Sequence, residues 1–135
     1  MTSAPPLTRS QLLLAAFFAV AGIAHFVRPG PYIGIMPRWV PAPALMVALS
    51  GVAEIAGGLG VLSQRTRRTA GIGLIALLIA VFPANVQMLL NGIHDARPWW
   101  YQMALWIRLP LQPLMVWWIW RATELSRLRR SPPLH

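Results

Sequence analysis

The sequence predicts an all-α, polytopic membrane protein: a four-transmembrane-helix bundle with an extracytoplasmic cap loop between the first two helices. Three observations carry that expectation. Hydrophobic residues make up 56% of the 135-residue chain and charged ones 11%, well under the quarter or so usual for a soluble domain. Four apolar stretches each reach the roughly 17–25 residues needed to cross a hydrocarbon core as a helix. The twelve basic residues are all Arg, and eleven of them fall in the gaps and tails between those stretches, as loop charges do in membrane proteins.

The first span runs from Gln11 to Val27, after a short tail over residues 1–10. Arg9, the apolar run and Ala19-Val20-Ala21 also fit a secretory signal with its cleavage site, and intact mass separates the two readings. The second span, Ala42 to Leu62, is rich in Gly and Ala, and Ala53 with Gly57 gives a small-xxx-small spacing that lets helix backbones approach. The third covers Ala70 to Leu90 and the fourth Trp99 to Trp120. In lipid each must close its own backbone hydrogen bonds, which leaves helix as the form of every span. A basic tail over residues 121–135 completes the chain.

Orientation follows from the short flanks. Arg9, Arg65, Arg67, Arg68, Arg121, Arg127, Arg129 and Arg130 lie on one side, and Arg28, Arg38 and Arg97 on the other. The excess of positive charge predicts that both termini and the Ser63–Thr69 loop are cytoplasmic. Trp39 and Trp99-Trp100-Tyr101 then fall at the outer interface, and Trp117, Trp118 and Trp120 at the inner one, where amphipathic rings prefer to sit. The Arg-rich tail reads as an anchor near anionic headgroups. Nucleic acid is an unsuitable partner despite a net charge of +9, because the bases form no single patch interleaved with aromatics.

Between the first two spans, Pro29, Pro31, Pro37 and Pro41 forbid a continuous helix. The same stretch carries Tyr32, Ile33, Ile35, Met36, Trp39 and Val40, too apolar to float in water. It is expected to fold back over the outer mouth of the bundle, with Tyr32, Met36 and Trp39 as its cap residues; the alternative is an interfacial linker anchored by its aromatics.

Polar groups inside the spans carry the functional information, since a charge at a helix centre costs about 2.5–3.5 kcal/mol on insertion scales. They are His25, Ser50, Glu54, Asn85, Arg108 and Gln112. At about 1.5 Å of rise per residue, His25 lies about one turn below the outer ends, Asn85 about 9 Å, Arg108 about 12–14 Å and Glu54 about 18 Å. Glu54 and Arg108 are therefore about one turn apart in depth, and a salt bridge is the expected pairing. Ser50 with Glu54, and Arg108 with Gln112, are four apart and share a face. Pro83 and Pro110 free the carbonyls of Ile79 and Trp106 beside Asn85 and Gln112. Such a cluster either fixes helix register or lines a ligand cavity open to the outer leaflet. No metal site is expected: His25 is the one intramembrane His, and His94-Asp95 is a loop pair with no further ligand nearby. No nucleophile stands beside a base and no Gly-rich phosphate loop precedes a Lys. With no Cys, the chain performs no dithiol redox step itself.

Five stretches form a recognisable set: Gly22-Ile23-Ala24-His25-Phe26; Pro29, Tyr32 and Ile35-Met36-Pro37; Ser50 to Gly58; Val81-Phe82-Pro83-Ala84-Asn85; and Ile107-Arg108-Leu109-Pro110-Leu111-Gln112. In them, and over about three quarters of its length, the chain resembles the DoxX-like family of small bacterial integral membrane proteins. The resemblance implies a four-helix membrane bundle that keeps its first span. The family takes its name from a membrane subunit of an archaeal thiosulfate:quinone oxidoreductase. Together with the polar cluster this gives the first expectation, an accessory, redox-associated subunit without catalysis of its own that holds a quinone or similar isoprenoid lipid, with His25, Glu54, Asn85 and Arg108 as candidate headgroup contacts. The other expectations are a non-catalytic membrane scaffold and, third, a small-solute carrier. Partners implied are the lipid bilayer together with redox proteins or a homo-oligomer.

Overall fold

In the computed structural model, which describes residues 4–125, the chain is all-helical. Arg127, Arg129 and Arg130, most of the expected basic anchor, lie outside the described residues. Helix α1 spans Arg9–Val27, α2 Pro29–Gly34, α3 Pro43–Val61, α4 Arg67–His94 and α5 Trp99–Ala122.

Local chemistry sets the ends. A capping box starts α1: Thr8 Oγ accepts from the Gln11 amide at 3.2 Å while the Thr8 amide donates to Gln11 Oε1 at 3.1 Å, satisfying two donors that a helix start would otherwise orphan. Proline opens α2 and α3, where its missing N–H has no intrahelical role. The four-proline segment is therefore not wholly irregular, for one short helix fits between its prolines. Helix α4 extends beyond the expected span at both ends and takes in Arg67 and Arg68, which the charge pattern had put in a loop. It stops in a Schellman turn: Ala96 adopts φ 48° and donates to Ile93, and Arg97 donates to Gly92. Pro83 lies inside α4, and Pro110 and Pro113 inside α5.

Three helices, α1, α3 and α4, are long and apolar enough to cross a membrane. Helix α5 has the length, at 24 residues, but its Trp, Gln and Arg side chains lower its mean hydropathy. Large apolar side chains cover the outside, including Leu13, Val20, Ile79 and Trp117, each more than half exposed. An apolar exterior of that extent suits lipid better than water.

The long helices form a ring: α1 packs on α3, α3 on α4 and α4 on α5, with a narrower contact from α5 back to α1. Glycine sets the tightest crossing. A Cβ on Gly22 would meet the Gly51 carbonyl oxygen at 2.6 Å, and one on Gly58 the Ala15 carbonyl oxygen at 2.9 Å, so Gly51 and Gly58 form the α3 contact stripe. That corrects the Ala53/Gly57 spacing, for Ala53 is exposed and Gly57 faces Leu74 of α4. The packed core fills one end of the ring, with Leu14, Phe18, Val61, Leu74, Ile119 and Ala122. There Gln11 Nε2 donates to the Ala122 carbonyl at 3.1 Å and Trp118 Nε1 to Ser10 Oγ at 2.7 Å, joining α1 to α5. Toward the opposite end the ring is open inside.

Candidate ligand cavity

That open interior is a mostly apolar cavity of about 430 Å³. His25, Ser50, Glu54, Asn85, Arg108 and Gln112 all line it, as do Tyr32 and Met36. The six polar residues singled out in the sequence thus converge. Trp39 does not join them and is 73% exposed.

On the α1–α3 side, the Gly22–Gly51 crossing brings the last turn of α1 against the middle of α3, and this places His25 over Glu54. His25 Nδ1 donates to the Ala21 carbonyl one turn back at 2.8 Å and also lies 3.1 Å from Glu54 Oε2. A carbonyl oxygen only accepts, so the Nδ1 hydrogen is directed at Ala21. Glu54 Oε2 is left buried with no hydrogen-bond donor. The other face of the imidazole stacks on Tyr32 from α2, with centroids 3.9 Å apart and planes at 22°. Ser50, one turn from Glu54, faces the same space.

On the α4–α5 side the polar groups form a chain. Arg108 Nε donates to Asn85 Oδ1 at 3.2 Å, Asn85 Nδ2 donates to Gln112 Oε1 at 2.7 Å, and Gln112 Nε2 donates to the Leu78 carbonyl. Gln112 is buried, and its donor satisfies a backbone acceptor in the turn loosened by Pro83. The carbonyl so used is that of Leu78, one residue before the Ile79 expected from proline geometry.

The expected Glu54–Arg108 salt bridge is absent. Glu54 lies against His25, and Arg108 donates to Asn85. Depth along the bundle could not reveal this, because partner choice depends on neighbourhood around the ring. Helices α3 and α5 sit diagonally, so the two opposite charges face the same cavity from opposite walls while each uses a nearer partner. His94 and Asp95 form an exposed pair 3.3 Å apart at the end of α4, outside the cavity wall.

The remaining wall is apolar, from Phe17 and Phe18 of α1 through Leu78 and Val81 of α4 to Leu114 and Met115 of α5. Nothing in their spacing distinguishes these side chains from ordinary bundle packing, so sequence reasoning missed them. The tie between Gln11 and α5 was equally hidden, although Thr8 and Gln11 stand at capping-box spacing. The arrangement can hold an amphipathic molecule: apolar walls for a tail, an acceptor in Glu54 and donors in Arg108 for a head.

Comparison with known proteins gives one family. Residues 14–123 match the family described as a domain of unknown function, DUF8561. No curated protein and no solved structure matches the chain. The matched segment contains every residue of the cavity wall, and the chain belongs to the DUF8561 family.

Proposed function

We propose that the protein is a DoxX-like, four-span subunit of the bacterial plasma membrane that holds a quinone or similar isoprenoid lipid in the cavity. In this reading both termini are cytoplasmic, α5 is the fourth span, and the segment around Tyr32 and Met36 covers the outer mouth. The single observation that carries the reading is the convergence of His25, Ser50, Glu54, Asn85, Arg108 and Gln112 on the wall of one mostly apolar cavity. The hydroxyl of a quinol, the reduced form of such a headgroup, would donate to the Glu54 carboxylate, while Arg108 would donate to a headgroup oxygen from the opposite wall. The protein then contributes binding and orientation, and a partner redox protein supplies the reaction. Native mass spectrometry of the detergent-purified protein tests this. The expected result is a co-purifying isoprenoid quinone that is lost from the folded Glu54→Gln/Arg108→Gln variant; retention by that variant contradicts the reading.

The hydrogen-bond chain from Arg108 to Leu78 favours a second reading. In it the polar cluster only joins α4 to α5, and the protein is a non-catalytic scaffold for a membrane complex. Under that reading the double variant loses thermal stability in detergent, and no ligand accompanies the wild type.

A further inference from the structure

At the end of the bundle opposite the cavity mouth, the segment before α1 and the turn from α3 to α4 enclose a second cleft. Its volume is about 610 Å³, and its wall includes Pro6, Leu7, Leu62, Ser63, Arg65 and Arg67. Arg67 is only 4% exposed. Its Nε donates to the Val61 carbonyl at 2.8 Å, closing the C-terminal end of α3, where a cation is favoured. That bond uses one of five guanidinium donors. Among the described residues no carboxylate forms an ion pair with it, although a buried charge is ordinarily paired. The Arg67 side chain forms part of the wall of the cleft.

Arg65 adds a second guanidinium to the same wall, and Ser63 a hydroxyl. Helix α4 begins at this point, and the amides of Arg68 and Thr69 find no acceptor in the preceding turn. The positive end of the helix dipole therefore reinforces the two cations. Leu7 and Leu62 supply an apolar border. Planar nitrogen forks match phosphate oxygens in pairs, and an apolar border beside them suits the glycerol and first methylenes of a lipid.

We propose that this cleft binds the phosphate group of an anionic phospholipid, with Arg67 and Arg65 as its ligands. The site is separate from the membrane cavity and does not depend on what that cavity holds. It accounts for a buried Arg that capping α3 alone leaves with donors to spare.

The test is native mass spectrometry and thermal melting of the full chain in detergent, titrated in parallel with phosphatidylglycerol, phosphatidylcholine of the same chains, and inorganic phosphate. The wild type should retain one phosphatidylglycerol that phosphatidylcholine does not displace. Arg65→Gln, which leaves the α3 cap intact, should weaken that binding severalfold without shifting the melt of the lipid-free protein. Arg65→Gln/Arg67→Gln should weaken it by at least about tenfold, or 1.4 kcal/mol. Substituting Arg127, Arg129 and Arg130 by Gln should leave the retained lipid in place. Displacement by inorganic phosphate identifies phosphate alone as what the cleft recognises, and resistance to it identifies the lipid headgroup. Equal binding of the two phospholipids, or phosphatidylglycerol binding that survives loss of both Arg65 and Arg67, overturns the proposal.

Discussion

Asn85 is both donor and acceptor at the centre of the α4–α5 seam, accepting from Arg108 and donating to Gln112. Replacing it with Leu removes both bonds and leaves two polar side chains beside a hydrophobic residue. Asn85→Leu should lower stability in detergent by about 1–3 kcal/mol, read as a fall in the melting midpoint. An unchanged midpoint would show that Arg108 and Gln112 find water or each other. Which residues are polar within apolar helices was legible from the sequence, because a charge or amide in an apolar run stands out. Who bonds to whom was not. Period and depth place a residue along its own helix, whereas the choice of His25 over Arg108 for Glu54 was made by the crossing of α1 and α3 at Gly22 and Gly51, two residues 29 apart in sequence.

Among the elements, α1 and α3 approach most closely, and no side chain larger than hydrogen fits at Gly51 without moving Phe26, His25 or the Gly22 carbonyl. Gly51→Val should separate the two helices and cost about 1–3 kcal/mol through overpacking, and it should also loosen the His25–Glu54 juxtaposition. Thermal melting of the variant, with and without a bound quinone analogue, measures both effects. The end of α4 gives a prediction of opposite sign. Ala96 holds a left-handed conformation at a Schellman position where glycine has no steric penalty. Ala96→Gly should raise stability by up to about 1 kcal/mol, and a destabilised variant would show that the Ala96 methyl group makes a compensating contact. Helix ends were legible to within a few residues where composition changes sharply, as at Val27 and Trp99. The start of α4 was not, since Arg67 and Arg68 read as loop charges until Arg67 is seen to reach back to Val61.

For the whole molecule, the ring of four long helices is packed tightly at one end and open at the other, with a polar cluster lining the open end and a cleft bordered by Arg65 and Arg67 beyond the packed end. In lipid the drive to bury apolar side chains between helices is weak, and van der Waals packing and interhelical hydrogen bonds carry association. That explains why glycine crossings and amide ladders matter here more than a large core. The all-helical class was legible from composition. The cavity was not, because an empty space between helices is a property of crossing angles and no residue type encodes it. Ser50 lies on the cavity wall one turn from Glu54 in a chain with no other Cys competing for label once it is replaced. The decisive measurement is therefore the rate at which Ser50→Cys, reconstituted in vesicles, reacts with a small maleimide in the presence of a short-tailed quinone or of the same tail without the headgroup. The account predicts that the quinone slows labelling in proportion to occupancy and that the headless tail does not; equal rates with both compounds would contradict it.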